Sequence, residues 1–181
     1  MTDCTFLRHF ETRVEPDRPV SEWVLSDAGH AAMKEYVADR SFDRFGHILT
    51  SPEPKAEVAG RKIAEESGLP LMVVDDLAEV DRSGEGFIDS ETQYEEMVEA
   101  YLTADTVPFE WENRTAVEQR WRSFIKWADA VDGPILAVTH GMFLSSVIPR
   151  MRGNDPVQFW QELGFGEEIA VDLNEVMMFL E

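Results

Sequence analysis

Apolar residues recur along the chain with two different periods, and their spacing predicts alternating strands and helices. Short continuous apolar runs predict buried strands in three places: residues 4–7, "HILT" (47–50) and "LMVV" (71–74). A helix from about Ser26 should separate the first two. A second helix should separate the next two, with Ser51 as its cap, Pro52 at its first position and Gly68 at its end. This β-α-β-α-β order predicts a largely parallel sheet with helices on both faces.

Two amphipathic helices are predicted after the third strand. One begins at Ser90, where Gln93 completes a capping box, and the other begins at about Asn113. Each carries an apolar stripe, which we expect to pack in the core. The stripes consist of Tyr94, Met97, Val98, Tyr101 and Leu102 in the first helix and of Val117, Trp121, Phe124, Ile125 and Ala128 in the second.

The C-terminal part of the chain predicts a further strand, two helices and a closing pair of strands. "PILAVTH" (134–140) is the clearest buried strand, and Pro149 should kink or stop the apolar helix after it. A short helix follows with Asp155 as its cap. The tail "IAVDLNEVMMFL" predicts two strands around Asn174. The chain has no repeat, low-complexity tract or linker, so residues 1–181 predict a single domain.

Composition narrows the class of protein. A chain of 181 residues can bury a full core, and no run of eighteen apolar residues predicts a membrane span. The start "MTDCTFL" lacks the basic and apolar regions of a secretory signal. The single cysteine, Cys4, cannot form an internal disulfide and should be a small buried strand residue. We therefore expect a cytoplasmic protein that does not bind membranes.

The charge is unusual and bears on possible partners. Sixteen basic and thirty-six acidic residues give a net charge of −20. Such a surface repels nucleic acid and anionic lipid, because both require clustered Lys and Arg. Two explanations stay open: adaptation to a salt-rich environment, or simply a well-hydrated surface. In either case, a phosphate-binding site would need its own local positive charge, although salt screens distant carboxylates over about 8–10 Å.

Candidate catalytic and ligand-binding residues follow the predicted strands. His9 and His140 each end a strand, and in a parallel sheet both would lie at the edge where ligands bind. The loop after the second strand adds Ser51 to that edge. Several junctions should thus bring cations, imidazoles and one carboxylate to one cleft: Arg8, His9, Lys55, Glu79 and His140. This mixture suits a dianionic phosphate.

Four motifs carry a resemblance to a known family. They are "LRHFETR" (7–13), "VLSDAGHAAM" (24–33), "LTSPEPKAEVAGRKI" (49–63) and "VTHGMFL" (138–144). The first resembles the Arg-His-Gly-Glu-Thr signature of the histidine phosphatase superfamily, which includes the cofactor-dependent phosphoglycerate mutases. The other three are similar to further motifs of that family, in the expected order over nearly the whole chain. Each is weak alone, but together they are a strong signal.

The resemblance implies a fold and a mechanism. The fold would be a three-layer α/β/α sandwich with a mostly parallel central sheet and a helical cap insertion at about residues 81–132. His9 would attack phosphorus as a neutral imidazole and form a phosphohistidine, and Arg8, Lys55 and His140 would stabilise the phosphoryl oxygens. Glu79 would be the general acid, with Asp76, Asp81 and Glu85 as nearby competitors. Neither a metal nor a cofactor would be required.

Departures from the family pattern concern the substrate pocket. Phe10 stands where the signature has Gly, and Glu15 stands where members often carry a phosphate-binding Asn, so we expect the loop of Glu15 to run elsewhere. Lys55 stands where the family has Arg, so the positive charge is kept but the bidentate hydrogen bonding of a guanidinium is lost. We expect the pocket to be lined by Phe10, Thr12, Ser51 and Gly141. Arg82 and the adjoining "SGEG" loop should be solvated, with contact to a substrate as the alternative for either.

The sequence leaves three functions open. Hydrolysis of a small phosphorylated metabolite is the main hypothesis, and a phosphoprotein substrate is an alternative. A phosphoglycerate mutase-type phosphotransferase is the nearest rival, although the chain is short for one, and a non-catalytic phospho-ligand-binding module is the other. His30 and His47 lack partners at metal-binding spacing, and no nucleotide-binding motif occurs. The sequence does not predict an oligomeric state.

Overall fold

The central sheet has five strands. The computed structural model of the chain describes residues 3–104 and 109–181. The strands are β1 (Asp3–Arg8), β2 (His47–Thr50), β3 (Leu71–Val73), β4 (Ile135–Thr139) and β5 (Glu168–Asp172). They lie in the order β3-β2-β4-β1-β5, and only β5 is antiparallel to its neighbour. The mostly parallel sheet that the strand and helix order predicts is therefore confirmed.

Helices follow or precede each strand. They are α1 (Asp27–Ala38), α2 (Pro54–Ser67), α3 (Glu91–Thr103), α4 (Arg114–Ala128), α5 (Gly141–Arg152), α6 (Pro156–Glu162) and α7 (Leu173–Leu180). Short 3-10 turns occupy Val20–Glu22, Asp75–Leu77 and Ser83–Glu85. No helix in the described part of the chain is long and apolar enough to cross a membrane.

Two apolar clusters cover the opposite faces of the sheet. Side chains alternate between the faces of a strand, so Phe6 of β1 packs in one cluster and the adjacent Leu7 packs in the other. The first cluster contains residues of α3, α4, α5 and α7, and the second contains residues of α1 and α2. Trp121 of α4 is fully buried in the first, where its ring stacks on Phe143 at 4.6 Å between centroids. The chain is thus a three-layer α/β/α sandwich, as predicted.

Most predicted helix ends are observed. The side chain of Ser26 accepts the N–H of Gly29 and caps α1. The caps predicted at Ser90, Asn113 and Asp155 likewise accept backbone N–H groups of α3, α4 and α6. Pro149 does not stop α5, which continues to Arg152.

The start of α2 differs from the prediction by two residues. Pro54, rather than Pro52, is the first helical residue, and Glu53 is the cap. The backbone of Ser51 continues the sheet instead, because its N–H donates to the carbonyl of Val138 at 3.0 Å. The end is as predicted, since Gly68 adopts the left-handed conformation, with φ of 71°.

The prediction of two closing strands is wrong in its second half. β5 is the first of them, but the chain then forms α7. The carboxylate of Asp172 accepts the N–H of Asn174 at 2.8 Å and caps this helix. Leu173, Val176 and Leu180 are buried at spacings of three and four residues, which is the helical period.

Candidate functional site

Two histidines meet at the carboxyl edge of the sheet. His9 follows β1 and His140 follows β4, and the two strands are parallel neighbours in which Arg8 pairs with Thr139. The N–H of His9 donates to the carbonyl of Thr139 at 2.9 Å. The imidazole rings lie 5.1 Å apart between centroids, at an angle of 61°. Both residues are buried, so any ligand between the rings is shielded from most of the solvent.

One nitrogen of His9 is fixed as a donor. Its Nδ1 lies 2.7 Å from the carbonyl oxygen of Phe10. Because a carbonyl only accepts, Nδ1 carries the proton and Nε2 keeps its lone pair. Burial lowers the pKa of His9 to about 3, helped by the charges of Lys55, Arg8 and Arg82 and opposed by the Phe10 carbonyl. The ring is therefore neutral at physiological pH and has a free nucleophilic nitrogen.

A hydrogen bond with Ser51 fixes the imidazole of His140. Nε2 of His140 lies 2.7 Å from the hydroxyl oxygen of Ser51. Its Nδ1 is buried and has no hydrogen-bond partner among the described residues. Burial lowers the pKa of His140, and the neighbouring His9 and Lys55 act in the same direction. Among the described residues, Nδ1 is therefore the ring nitrogen of His140 that has no hydrogen-bond partner.

Two cations flank the imidazoles. The guanidinium of Arg8 donates to the carbonyl of Leu163 and lies 4.2 Å from the ring centroid of Phe165. Its Nε is buried and finds no partner within residues 3–104 and 109–181. The ammonium of Lys55, which is 2% exposed, donates to the carboxylate of Glu53 and to the carbonyl of Val20 at 2.6 Å. One cation thus keeps a free donor, whereas the other is already paired.

The N-terminus of α5 positions the carboxylate of Glu79. One oxygen accepts the N–H groups of Phe143 and Val80 at 2.8 and 2.9 Å, and the other accepts that of Met142 at 3.2 Å. Helix N-termini stabilise negative charge in this way. Two of the carboxylates predicted as alternative general acids accept other backbone hydrogen bonds. Asp81 accepts the N–H of Ser83, and Glu85 accepts that of Glu110.

These groups open into one cleft of about 460 Å³. Six of the residues predicted for the site line it: Arg8, His9, Thr12, Lys55, Glu79 and Gly141. A seventh, His140, lies beside His9. The guanidinium of Arg8 packs closely over Gly141, where a Cβ would lie 3.1 Å from its Nε. No group of three or more His, Cys, Asp or Glu side chains in the described residues is arranged to hold a metal ion.

Two residues predicted to line the pocket lie elsewhere. Phe10 is 3% exposed and packs against Tyr36 of α1, with ring centroids 5.5 Å apart, in the cluster on that face of the sheet. Gly166 makes room for it, since a Cβ there would lie 2.7 Å from the Phe10 ring. Ser51 is fully buried behind His140 and reaches a ligand only through that imidazole. The carboxylate of Glu15 accepts a hydrogen bond from Arg13, and Glu15 is not among the residues that line the cleft, although the adjacent Val14 is.

Sequence reasoning missed Glu53. Its side chain is 8% exposed, and one oxygen accepts the N–H of Glu79 at 2.8 Å while lying 3.8 Å from Nε2 of His140. Burial raises the pKa of Glu53, and the neighbouring Lys55 opposes that shift. Its position two residues before Lys55, at the cap of α2, is the one sequence signal that could have drawn attention to it.

Arg82 lines the cleft, which agrees with the alternative that it reaches a substrate rather than with the main expectation that it is solvated. Its guanidinium donates to the hydroxyl of Tyr94 and lies 5.6 Å from the ring centroid of Trp111. Both partners come from the segment around α3, so the position of Arg82 depends on tertiary packing. No local pattern around residue 82 indicates it.

Comparison with known proteins identifies the class that this fold and site define. The model of the histidine phosphatase superfamily (branch 1) matches residues 4–167. The chain therefore belongs to the histidine phosphatase superfamily, as the four motifs predicted.

Solved structures with the same fold include a mycobacterial glucosyl-3-phosphoglycerate phosphatase, at 17% identity and a TM-score of 0.76 over 95% of this chain and 90% of that one. YhfR from Bacillus stearothermophilus has 17% identity and a TM-score of 0.75 over 95% and 91% of the two chains. A phosphoserine phosphatase mutant from Entamoeba histolytica, in complex with phosphoserine, has 18% identity and a TM-score of 0.69 over 94% and 90%. A search of curated proteins found no match.

Proposed function

We propose that the protein is a phosphatase that hydrolyses a small phosphomonoester through a phosphohistidine at His9. The observation that carries this proposal is the neutral His9 ring, whose Nδ1–H is fixed on the Phe10 carbonyl while Nε2 keeps its lone pair beside His140. Membership of the superfamily supports the proposal. Two proteins of the same fold are described as phosphatases of small phosphorylated compounds, which supports it further.

In the first half-reaction, Nε2 of His9 uses its lone pair to form a bond to phosphorus. The bond between phosphorus and the ester oxygen breaks, and its electron pair leaves with that oxygen. Glu79, as the general acid, gives a proton to the leaving oxygen, so that a neutral alcohol departs. The Phe10 carbonyl accepts the Nδ1–H of the ring throughout and stabilises the positive charge that the phosphorylated imidazole gains.

In the second half-reaction, a water molecule attacks phosphorus. Glu79, now a carboxylate, takes a proton from that water, and the phosphorus–nitrogen bond breaks with its electron pair returning to Nε2. Inorganic phosphate leaves, and both His9 and Glu79 regain their starting protonation states. Throughout, Arg8, Lys55 and His140 bind the phosphoryl oxygens and stabilise their charge. This cycle uses no cofactor.

We further propose that residues 1–181 act as one domain in which the segment 81–132 is the cap. This segment includes α3 and α4, and residues 105–108 within it lie outside the described part of the chain. Arg82 and Tyr94 of this segment line the same cleft as His9. The cap would therefore contact the leaving group and select the substrate.

A turnover assay tests the proposed reaction. The purified protein should release inorganic phosphate continuously from p-nitrophenyl phosphate, and a chelator should leave the rate unchanged. Interconversion of phosphoglycerates with no net release of phosphate would instead establish the mutase. Binding of phosphate without turnover of any phosphomonoester would establish a binding module. Either of those results overturns the proposal.

The Glu53–Lys55 pair leads to a prediction about phosphate affinity. Glu53 holds the ammonium that the phosphate needs and adds a negative charge close to His140. Glu53→Gln should lower the inhibition constant of inorganic phosphate by about threefold to tenfold, because it removes the competing charge in a poorly solvated site. The glutamine oxygen can still accept the N–H of Glu79. Inhibition by phosphate during hydrolysis of p-nitrophenyl phosphate provides the measurement.

Glu57→Gln is the matched control for this variant. Glu57 belongs to the same helix, but its carboxylate pairs with Arg61 on the outer surface. The control removes the same charge from the protein and should leave the inhibition constant unchanged. An unchanged or higher constant in Glu53→Gln would show that Glu53 does not compete with the ligand.

A further inference from the structure

Exposed apolar side chains are concentrated in the cleft beside the two histidines. Six large apolar residues are exposed among those that the structure describes, and three of them line this cleft: Val14, Phe87 and Phe165. A soluble protein gains nothing by leaving apolar side chains in water, so an exposed apolar patch within a concave site marks a ligand surface. The cleft therefore has an apolar part as well as a phosphate end.

One ring stands directly beside the nucleophile. Phe165 lies with its ring centroid 5.6 Å from that of His9, and the guanidinium of Arg8 covers it at 4.2 Å. The loop that carries it is anchored to β1, because the N–H of Gly166 donates to the carbonyl of Arg8 at 3.0 Å. The φ of Gly166 is 72°, a conformation that favours glycine. The Phe165 ring is thus held at the junction between the phosphate end and the apolar part.

Further aromatic rings line the cleft in two pairs from separate segments. Trp23, at the end of the first 3-10 turn, lies 6.2 Å from Phe87 between ring centroids. Tyr94 of α3 lies 6.0 Å from Trp160 of α6 in an edge-to-face contact. All four residues line the cleft that contains His9. Such rings offer flat faces and edges, which suit a planar apolar group.

Charge in the cleft disfavours a second anionic group on the substrate. Of its three cationic residues, Arg8 and Lys55 flank the imidazoles, and the guanidinium of Arg82 donates to the hydroxyl of Tyr94. The carboxylates of Asp89 and Glu91 also line the cleft, and both residues are exposed at the beginning of α3. A carboxylate on the leaving group would meet these like charges, whereas a neutral group would not.

We infer that the substrate is the phosphomonoester of an uncharged alcohol or phenol that carries an aromatic ring, with the ring between the aromatic side chains of the cleft. This inference rests on the proposed function for the position of the phosphate. The apolar part of the cleft then selects the leaving group, and the neighbouring carboxylates reject leaving groups with a negative charge.

Three phosphates that differ only far from phosphorus test the inference. They are propyl phosphate, 3-phenylpropyl phosphate and 3-(4-carboxyphenyl)propyl phosphate, all esters of primary alcohols with similar leaving-group acidity. We expect kcat/KM for the phenylpropyl ester to exceed that for the propyl ester at least tenfold. Adding the carboxylate should lower kcat/KM at least tenfold relative to the phenylpropyl ester. Equal values for the three esters would overturn the inference and leave the phosphatase proposal intact.

Binding of non-hydrolysable analogues tests the inferred preference for an aromatic leaving group independently of the proposed hydrolysis. By calorimetry, 3-phenylpropylphosphonate should bind at least tenfold more tightly than propylphosphonate, whether or not the protein turns over any ester. Absence of turnover with this difference in affinity would overturn the proposed function alone. Equal affinities would overturn the inference alone.

A pair of variants locates the ring. Phe87→Ser should reduce the ratio of the two phosphonate affinities at least threefold, because it removes one aromatic wall. Phe179→Ser removes a ring of nearly equal exposure, 38% against 37%, from α7, and should leave both the ratio and the turnover unchanged. If both variants keep the wild-type ratio, the ring binds elsewhere and the inference fails.

Discussion

Replacing His9 by alanine should lower kcat/KM for p-nitrophenyl phosphate by about 10⁴-fold or more, because the covalent intermediate can no longer form. The wild type, quenched during turnover of a ³²P-labelled ester, should carry label that is lost in acid and retained in base, as expected for a phosphohistidine. The variant should carry none. The large effect follows from the geometry of the cleft, in which Nε2 of His9 is the free nucleophilic nitrogen that the Phe10 carbonyl orients.

His30→Ala is the matched control. His30 lies on α1, is partly exposed, and is not among the residues that line the cleft. Its removal should leave turnover and labelling unchanged. Thermal unfolding should show that the His9 variant is folded, and His9→Asn replaces it if it is not. A folded variant that keeps a tenth of the wild-type activity would exclude His9 as the nucleophile.

Glu79→Gln should reduce turnover of alkyl phosphates by about 10²- to 10⁴-fold, the usual contribution of a general acid. Glutamine has the same size, and its oxygen can still accept an N–H at the start of α5. For p-nitrophenyl phosphate the loss in the first half-reaction should be much smaller, because the acidic phenol leaves without protonation. Comparison of kcat/KM for the two types of ester provides the measurement.

Two further carboxylates make the Glu79 experiment specific. Glu91→Gln removes another carboxylate from the lining of the cleft and should leave the ratio of alkyl to aryl turnover unchanged. Glu53 is the nearest competitor for the acid, since burial raises its pKa and it lies close to His140. If Glu53→Gln selectively impairs alkyl esters and Glu79→Gln does not, the proton comes from Glu53.

The sheet and most helices could be predicted because their signals are local. The apolar run at Ile135–Thr139 is buried on both faces, and the caps at Ser26 and Asp155 accept the N–H groups that such residues usually accept. The prediction of a second strand in the C-terminal segment is wrong because a short apolar run fits both the strand period and the helix period. Its three buried residues repeat at helical spacing, and the cap at Asp172 decides the outcome.

The site was predictable to the extent that it follows from strand ends. His9 and His140 leave adjacent parallel strands, so their meeting follows from topology. The environment of Phe10 could not be predicted, because it depends on Tyr36 and on the space above Gly166. The position of Arg82 depends likewise on a hydroxyl from α3. Such contacts join segments far apart in the sequence, where no periodicity connects them.

The ion pair between Glu53 and Lys55 has a consequence for ion exchange at the site. Because the ammonium already has an internal anion, the empty site does not need to recruit chloride from solution to neutralise it. Phosphate must compete for this ammonium with a tethered carboxylate, whose effective concentration is fixed by its place at the cap of α2 and does not change with the medium. This buried ion pair should therefore respond less to ionic strength than the exposed charges that contribute to the net charge of −20, because buried pairs are screened much less by salt.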